Sequence, residues 1–182
     1  MACPEAWIKL QPVIKIVFLS TIIAFCSLIL GFATPVWVSA SGAIPIQFID
    51  REGTHAGSVG MDHMGLWQAC GGGIGCINLV HDIPGFLVAS RVFACFSLIA
   101  SFVGIAMVFW FACVSKTDNG RLLMLSMIMS FVTGALIIIT VAIFGGEVKS
   151  HLSFSFAMMC IAAIVYTVNG VLFLVYIGTG RR

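Results

Sequence analysis

Long apolar runs alternate along the chain with short polar links. Four runs exceed about 18 residues, the length that reads as a transmembrane helix. They extend from Val13 to Ala33, Phe86 to Val114, Leu122 to Phe144 and Leu152 to Ile177. The shortest, about 21 residues, is roughly 31 Å long as a helix, which matches a hydrocarbon core of about 30 Å. Residues 34–85 differ in character. There, two β-prone segments, Ile44 to Ile49 and Ile77 to Val80, stand among Gly and Pro punctuation and predict strands. The links 115–121 and 145–151 are short and force antiparallel neighbours. The whole chain, 1–182, therefore reads as one all-α membrane domain. Its expected form is a left-handed four-helix bundle carrying a small extracellular antiparallel β-sheet from the first outer loop, 34–85, with 145–151 as the second outer loop.

Composition removes the alternatives. Hydrophobic residues make up 60% of the chain and charged residues 9%, with a mean hydropathy of +1.13. A soluble domain needs about a quarter of its residues charged. The formal net charge of +2 leaves no basic stripe for nucleic acid, so the implied partner is the lipid bilayer. Lys9 and Lys15 stand at the start of the first run, and Val38-Ser39-Ala40 offers small residues for cleavage, as in a signal peptide. A signal h-region is usually about 7–15 residues, so the longer run is expected to be a retained helix. Basic residues then set the orientation. Lys9, Lys15, Lys116, Arg121, Arg181 and Arg182 fall on one side, with Arg51, Arg91 and Lys149 on the other. Both termini are expected in the cytoplasm of a multi-pass plasma-membrane protein.

The spans hold no Asp, Glu or His, and their only basic residues are Lys15 at the start of the first and Arg91 near the outer end of the second. Proton-coupled transporters usually carry intramembrane ionisable groups, so that class is disfavoured. Enzyme chemistry is not expected either. There is no Cys-x-x-Cys pair and no nucleophile beside an intramembrane base. The external histidines His55, His63, His81 and His151 match no metal-ligand spacing, and no cofactor is implied. Small residues recur at helix-packing intervals, Ser126, Ser130 and Gly134 in the third span and Ala100 and Gly104 in the second. They suit close approach of helices, within one bundle or between protomers. Asn169 in the fourth span is expected to bond a neighbouring helix.

The first outer loop holds Trp37, then Gly65-Leu66-Trp67, then Cys70 and Cys76. Cys70-Gly-Gly-Gly-Ile-Gly-Cys76 reads as a tight hairpin whose glycines accept positive φ, pinned by a disulfide on the oxidising side. The seven cysteines are an odd number, so at least one is unpaired within the chain.

In that order after a first helix, these residues resemble the claudin, peripheral myelin protein and epithelial membrane protein superfamily. The family's mark is Trp, then Gly-Leu-Trp, then two Cys, matched here by Trp37, Gly65, Leu66, Trp67, Cys70 and Cys76. Pro35-Val36-Trp37 resembles the family's Pro-x-Trp, and Ala89-Ser90-Arg91 the small-small-Arg step that opens its second helix. The four-helix layout covers essentially the whole chain. The chain departs from typical claudins in the 29 residues between the tryptophans, the five between the cysteines and the short second outer loop. It ends Gly-Thr-Gly-Arg181-Arg182, without the hydrophobic residue through which many claudins bind PDZ scaffolds. It also carries no Asn-x-Ser/Thr site. The resemblance implies a divergent claudin-like protein.

The resemblance implies lateral assembly with itself or related four-helix proteins, at cell–cell junctions, into a paracellular barrier or adhesion structure. Its other implied class is an accessory subunit or membrane organiser that modulates an ion channel or receptor. Asp50, Glu52, Asp62 and Asp82 against Arg51 leave the first outer loop at a formal −3. Asp50, Glu52 and Asp62 are then candidate pore-lining charges, favouring cations. Trp37 and Trp67 are expected to seat the sheet at the bilayer interface. Arg91 is expected to donate to loop carbonyls or to Asp82. Cys113, just inside the second helix end, and Cys3 are candidate palmitoylation sites. Cys26, Cys95 and Cys160 are expected to pack as small apolar residues.

Tags at either end, probed in intact and permeabilised cells, check the orientation. Both should label only after permeabilisation; labelling of either in intact cells contradicts it.

Overall fold

A computed structural model describes residues 12–46, 59–71, 75–79, 83–113, 120–148 and 151–179. Four helices dominate it: α1 Pro12–Ala33, α2 Gly85–Cys113, α3 Gly120–Glu147 and α4 Phe154–Thr179. Each is long and apolar enough to cross a membrane, which makes the chain a multi-pass membrane protein. Helix α2 packs along α3, α3 along α4, and α4 along α1, with a sparser seam between α1 and α2.

The burial pattern inverts that of a soluble bundle. Only 28% to 39% of each span's most apolar window is buried. Large apolar side chains such as Ile23, Phe102 and Ile164 are more than 60% exposed, so the helices carry an apolar coat for lipid. Inside lie many small or hydroxylated residues, including Ala24, Ser97, Ser101, Ser130, Thr140, Ala162 and Ala163. Most buried hydroxyls are satisfied by their own helix. Ser97 donates to the Ala94 carbonyl, Ser130 to Ser126 and Thr140 to Leu136. Asn169 ties two helices through its side chain. Its Nδ2 donates to Thr21 Oγ1 at 3.1 Å, and its Oδ1 accepts from Ser20 Oγ at 2.6 Å. The small-residue faces are used within the bundle. Ser126, Ser130 and Gly134 are buried, and a Cβ on Gly134 would lie 3.0 Å from Thr167 Oγ1 of α4.

The second element of the fold is an antiparallel four-stranded sheet in the order β1-β2-β3-β4. Its strands are β1 Val38–Ile46, β2 Val59–Met64, β3 Gln68–Gly71 and β4 Gly75–Asn78. Register sorts its faces. Val38 pairs with Met64, Met64 with Ala69, and Ala69 with Ile77. The first three of these are buried against the bundle. One row over, Ser39, His63, Cys70 and Cys76 fall in register and face away.

The helix ends lie within a few residues of the expected spans, and two shifts bear on the sheet. Helix α3 runs on to Glu147. Helix α4 starts at Phe154, because Leu152 and Ser153 pair with the start of β1. Strand β1 begins at Val38, ahead of the expected Ile44, and Ile49 and Val80 lie outside the described residues.

Candidate functional site

The residues that the sequence singles out converge at one end of the bundle, where α1 stops. Pro35 cannot continue a helix and disfavours helical geometry at Thr34, so the chain must leave α1 there. A helix end leaves its last four carbonyls without partners, and none can be left bare at membrane depth. Here Thr34 N and Oγ1 both donate to Leu30 O. The Trp37 indole Nε1 donates to Gly31 O at 2.6 Å, and the Trp67 Nε1 to Phe32 O at 3.0 Å. The two tryptophans of the motif thus cap the same helix.

Trp37 is fully buried. Its ring meets Phe144 at the end of α3 at 4.7 Å and Phe156 at the start of α4 at 5.9 Å, so it joins three helices to the sheet. Trp37 is thus a core residue of the junction between bundle and sheet. An indole is as well satisfied by a helix carbonyl inside protein as by headgroups. Trp67 is half-buried, with its ring 5.1 Å from that of Phe32.

Between the tryptophans, Gly65 lies flat on the α1 exit. A Cβ there would stand 2.5 Å from Pro35 Cα and 2.9 Å from Thr34 O, both backbone atoms that cannot step aside. Gly65 N bonds Gln68 O at 2.8 Å and closes the turn into β3. The Leu66 side chain is fully buried, and its carbonyl accepts from Arg91 Nε at 2.6 Å. The Arg91 guanidinium lies 5.1 Å from the Trp67 ring centroid, within cation–π range. Its Nη2 is buried without a hydrogen-bond partner. Donation by Arg91 to a loop carbonyl is therefore observed, while Asp82 lies outside the described residues.

Strands β3 and β4 are joined by a disulfide, Cys70–Cys76, across a pair with Cα atoms 4.0 Å apart. Gly75 holds φ at 74° at the turn, where other residues are strained.

One feature carried no sequence signal. The link from α3 to α4 is sewn to the outer edge of β1. Ser39 N donates to His151 O at 3.0 Å and Ser153 N to Trp37 O at 2.9 Å. Ser155 N donates to Val36 O at 3.0 Å, and the Thr34 and Ser155 hydroxyls lie 2.6 Å apart. Amides at the start of α4, which lack helical partners, thus end on the carbonyls that leave α1. His151 adopts φ 62°, a left-handed conformation rare outside glycine.

The remaining candidates do not gather into a site. Asp50, Glu52, Cys3, His55 and His81 lie outside the described residues. Asp62 is exposed on β2, and Cys113 is the last residue of α2. Cys95 and Cys160 are half-buried, whereas Cys26 is exposed on the flank of α1. Among the described residues no group of three or more His, Cys, Asp and Glu could hold a metal. What the arrangement builds is a platform that ties the sheet to the helix ends.

No protein-family model matches the chain, and no curated protein matches it. The platform itself can be tested. Gly65→Ala should lower stability in detergent by about 2 kcal/mol, the scale of an overpacked site. Gly146→Ala, in a helix with open space around it, should be neutral or slightly stabilising. Thermal unfolding of both variants checks this, and equal behaviour would contradict the Gly65 contact.

Proposed function

We propose that this chain is a claudin-like protein of plasma-membrane cell–cell contacts, assembling laterally to form or regulate a paracellular barrier. The observation that carries this reading is the shared seat of Trp37, Gly65-Leu66-Trp67, Cys70–Cys76 and Arg91, the residues of the resemblance. They fix a small sheet rigidly on four membrane helices, so that neighbouring protomers would present their sheets at one height. Among the described residues, strand β4 is an open edge of that sheet, largely exposed and free of charge and proline. Natural proteins usually blunt such edges. With the termini in the cytoplasm, the sheet lies outside the cell. The formal −3 of the first outer loop then favours cations along any path between cells.

A second reading, an accessory subunit of a channel or receptor, is favoured by one observation. The α3–α4 link is bonded to β1, which leaves little second-loop surface to reach an opposing cell.

Expression in fibroblasts that lack tight junctions, viewed by freeze-fracture, separates the readings. Strands concentrated where two expressing cells meet are the expected result. Diffuse protein, with no change in the ion permeability of an epithelial layer, overturns the barrier reading and supports the accessory one.

A further inference from the structure

The surroundings of the cystine go beyond what a structural tie requires. Register sets His63 of β2 beside Cys70 of β3, and Cys70 beside Cys76 of β4. Side chains in register share a face, and this row faces away from the buried Val38, Met64 and Ala69. Cys76 is exposed, while Cys70 and His63 are half-buried. The His63 Nδ1 is shielded from solvent and has no hydrogen-bond partner, so no other group holds its proton or lone pair. Ser39 flanks His63 on β1, and His151 stands opposite Ser39 as the next titratable group along the row. Asp62, beside His63 on its own strand, belongs by alternation to the other face.

We propose that Cys70–Cys76 is a thiol–disulfide exchange site, with His63 as the acid that protonates the departing Cys70 sulfur. The co-substrate is a thiol, probed here with reduced glutathione. Its thiolate attacks the sulfur of Cys76, the exposed residue of the pair, and forms a mixed disulfide there. The Cys70–Cys76 bond breaks, and its electron pair goes to Cys70 Sγ, which takes the proton of the His63 imidazolium. A second thiolate then displaces Cys76 and yields oxidised glutathione, so two external thiols are oxidised as one cystine is reduced. Attack falls on the accessible sulfur, and the leaving sulfur is the one beside the acid.

The fold tolerates the opening. The cystine closes a sequence separation of only six, and constraint of the unfolded chain grows with loop length. The base of the hairpin keeps its other ties. Gln68 Nε2 donates to Asn78 Oδ1 at 3.1 Å, and Leu79 N to Trp67 O at 2.9 Å. Opening thus frees the tip of the open-edge strand and leaves the capped seat of the sheet in place. The site stands whether or not the protein forms barriers.

The test uses the full chain in detergent micelles, oxidised and then exposed to reduced glutathione at about pH 6 and at about pH 9. Products are quenched, alkylated and mapped by mass spectrometry. The first trapped adduct should carry glutathione on Cys76 and an alkylated Cys70. Per thiolate, His63→Gln should slow opening roughly tenfold near pH 6, as loss of a positioned acid does, and the difference should shrink toward pH 9. His151→Gln should leave the rate unchanged. Glutathione trapped on Cys70 would overturn the proposal, even if the His63 variant fails to fold. So would a cystine closed to glutathione in the folded protein, or a His63→Gln rate equal to the native rate near pH 6.

Discussion

The carbonyls at the end of α1 must be satisfied in a place where water is scarce, and this structure satisfies two of them with tryptophan. Trp37 and Trp67 arrive from points far apart in sequence and cap adjacent carbonyls, Gly31 O and Phe32 O. A hydrogen bond of this kind is worth about 1 kcal/mol net, but leaving a buried carbonyl bare costs about 1–3 kcal/mol. The caps therefore decide where the loop must return. Once both indoles are placed, Gly65 must lie against Pro35, Leu66 must enter the core, and its carbonyl is presented to Arg91. The same logic runs the other way at α4, whose first amides at Ser153 and Ser155 end on Trp37 O and Val36 O. Two helix ends and a sheet thus complete one another.

This junction suits a chain whose helices meet through small residues. Lipid provides no hydrophobic drive for one helix to pack on another, so close backbone approach and buried polar ties take its place. Gly31 illustrates it: a Cβ there would stand 2.6 Å from the Met159 side chain of α4. The Asn169 bonds to Ser20 and Thr21 fix the same helix pair at another level. The sheet, by contrast, has little core of its own and borrows that of the bundle through Val38, Met64, Leu66 and Ala69.

Much of this could be read from the residues. The four spans stand out because an apolar run long enough to cross lipid has few other uses, and their ends shift by only a few residues. The Cys70–Cys76 pair follows from spacing and glycine content. The full burial of Trp37 was less legible: indoles favour membrane interfaces and helix carbonyls alike, and only the fold brings the Gly31 carbonyl within reach. Strand β2 was missed because Val59–Met64 carries Gly60, Asp62 and His63 and lacks a β-prone run. The sewn α3–α4 link was invisible because its bonds to β1 run through backbone amides and carbonyls, which every sequence possesses.

The capping claim is tested most directly by hydrogen exchange on the protein in nanodiscs, comparing Trp37→Phe with the native chain. Phenylalanine keeps an aromatic ring and loses the indole donor. If the indole cap organises the junction, the variant loses about 2 kcal/mol of protection, roughly thirtyfold in exchange, from the lost bond and packing together. That loss should appear equally at the amides of Gly65, Ser153 and Ser155, which lie in three separate segments, while mid-span amides of α2 and α3 stay as protected as before. Loss confined to the immediate neighbours of residue 37, with Ser153 and Ser155 unchanged, would contradict the account.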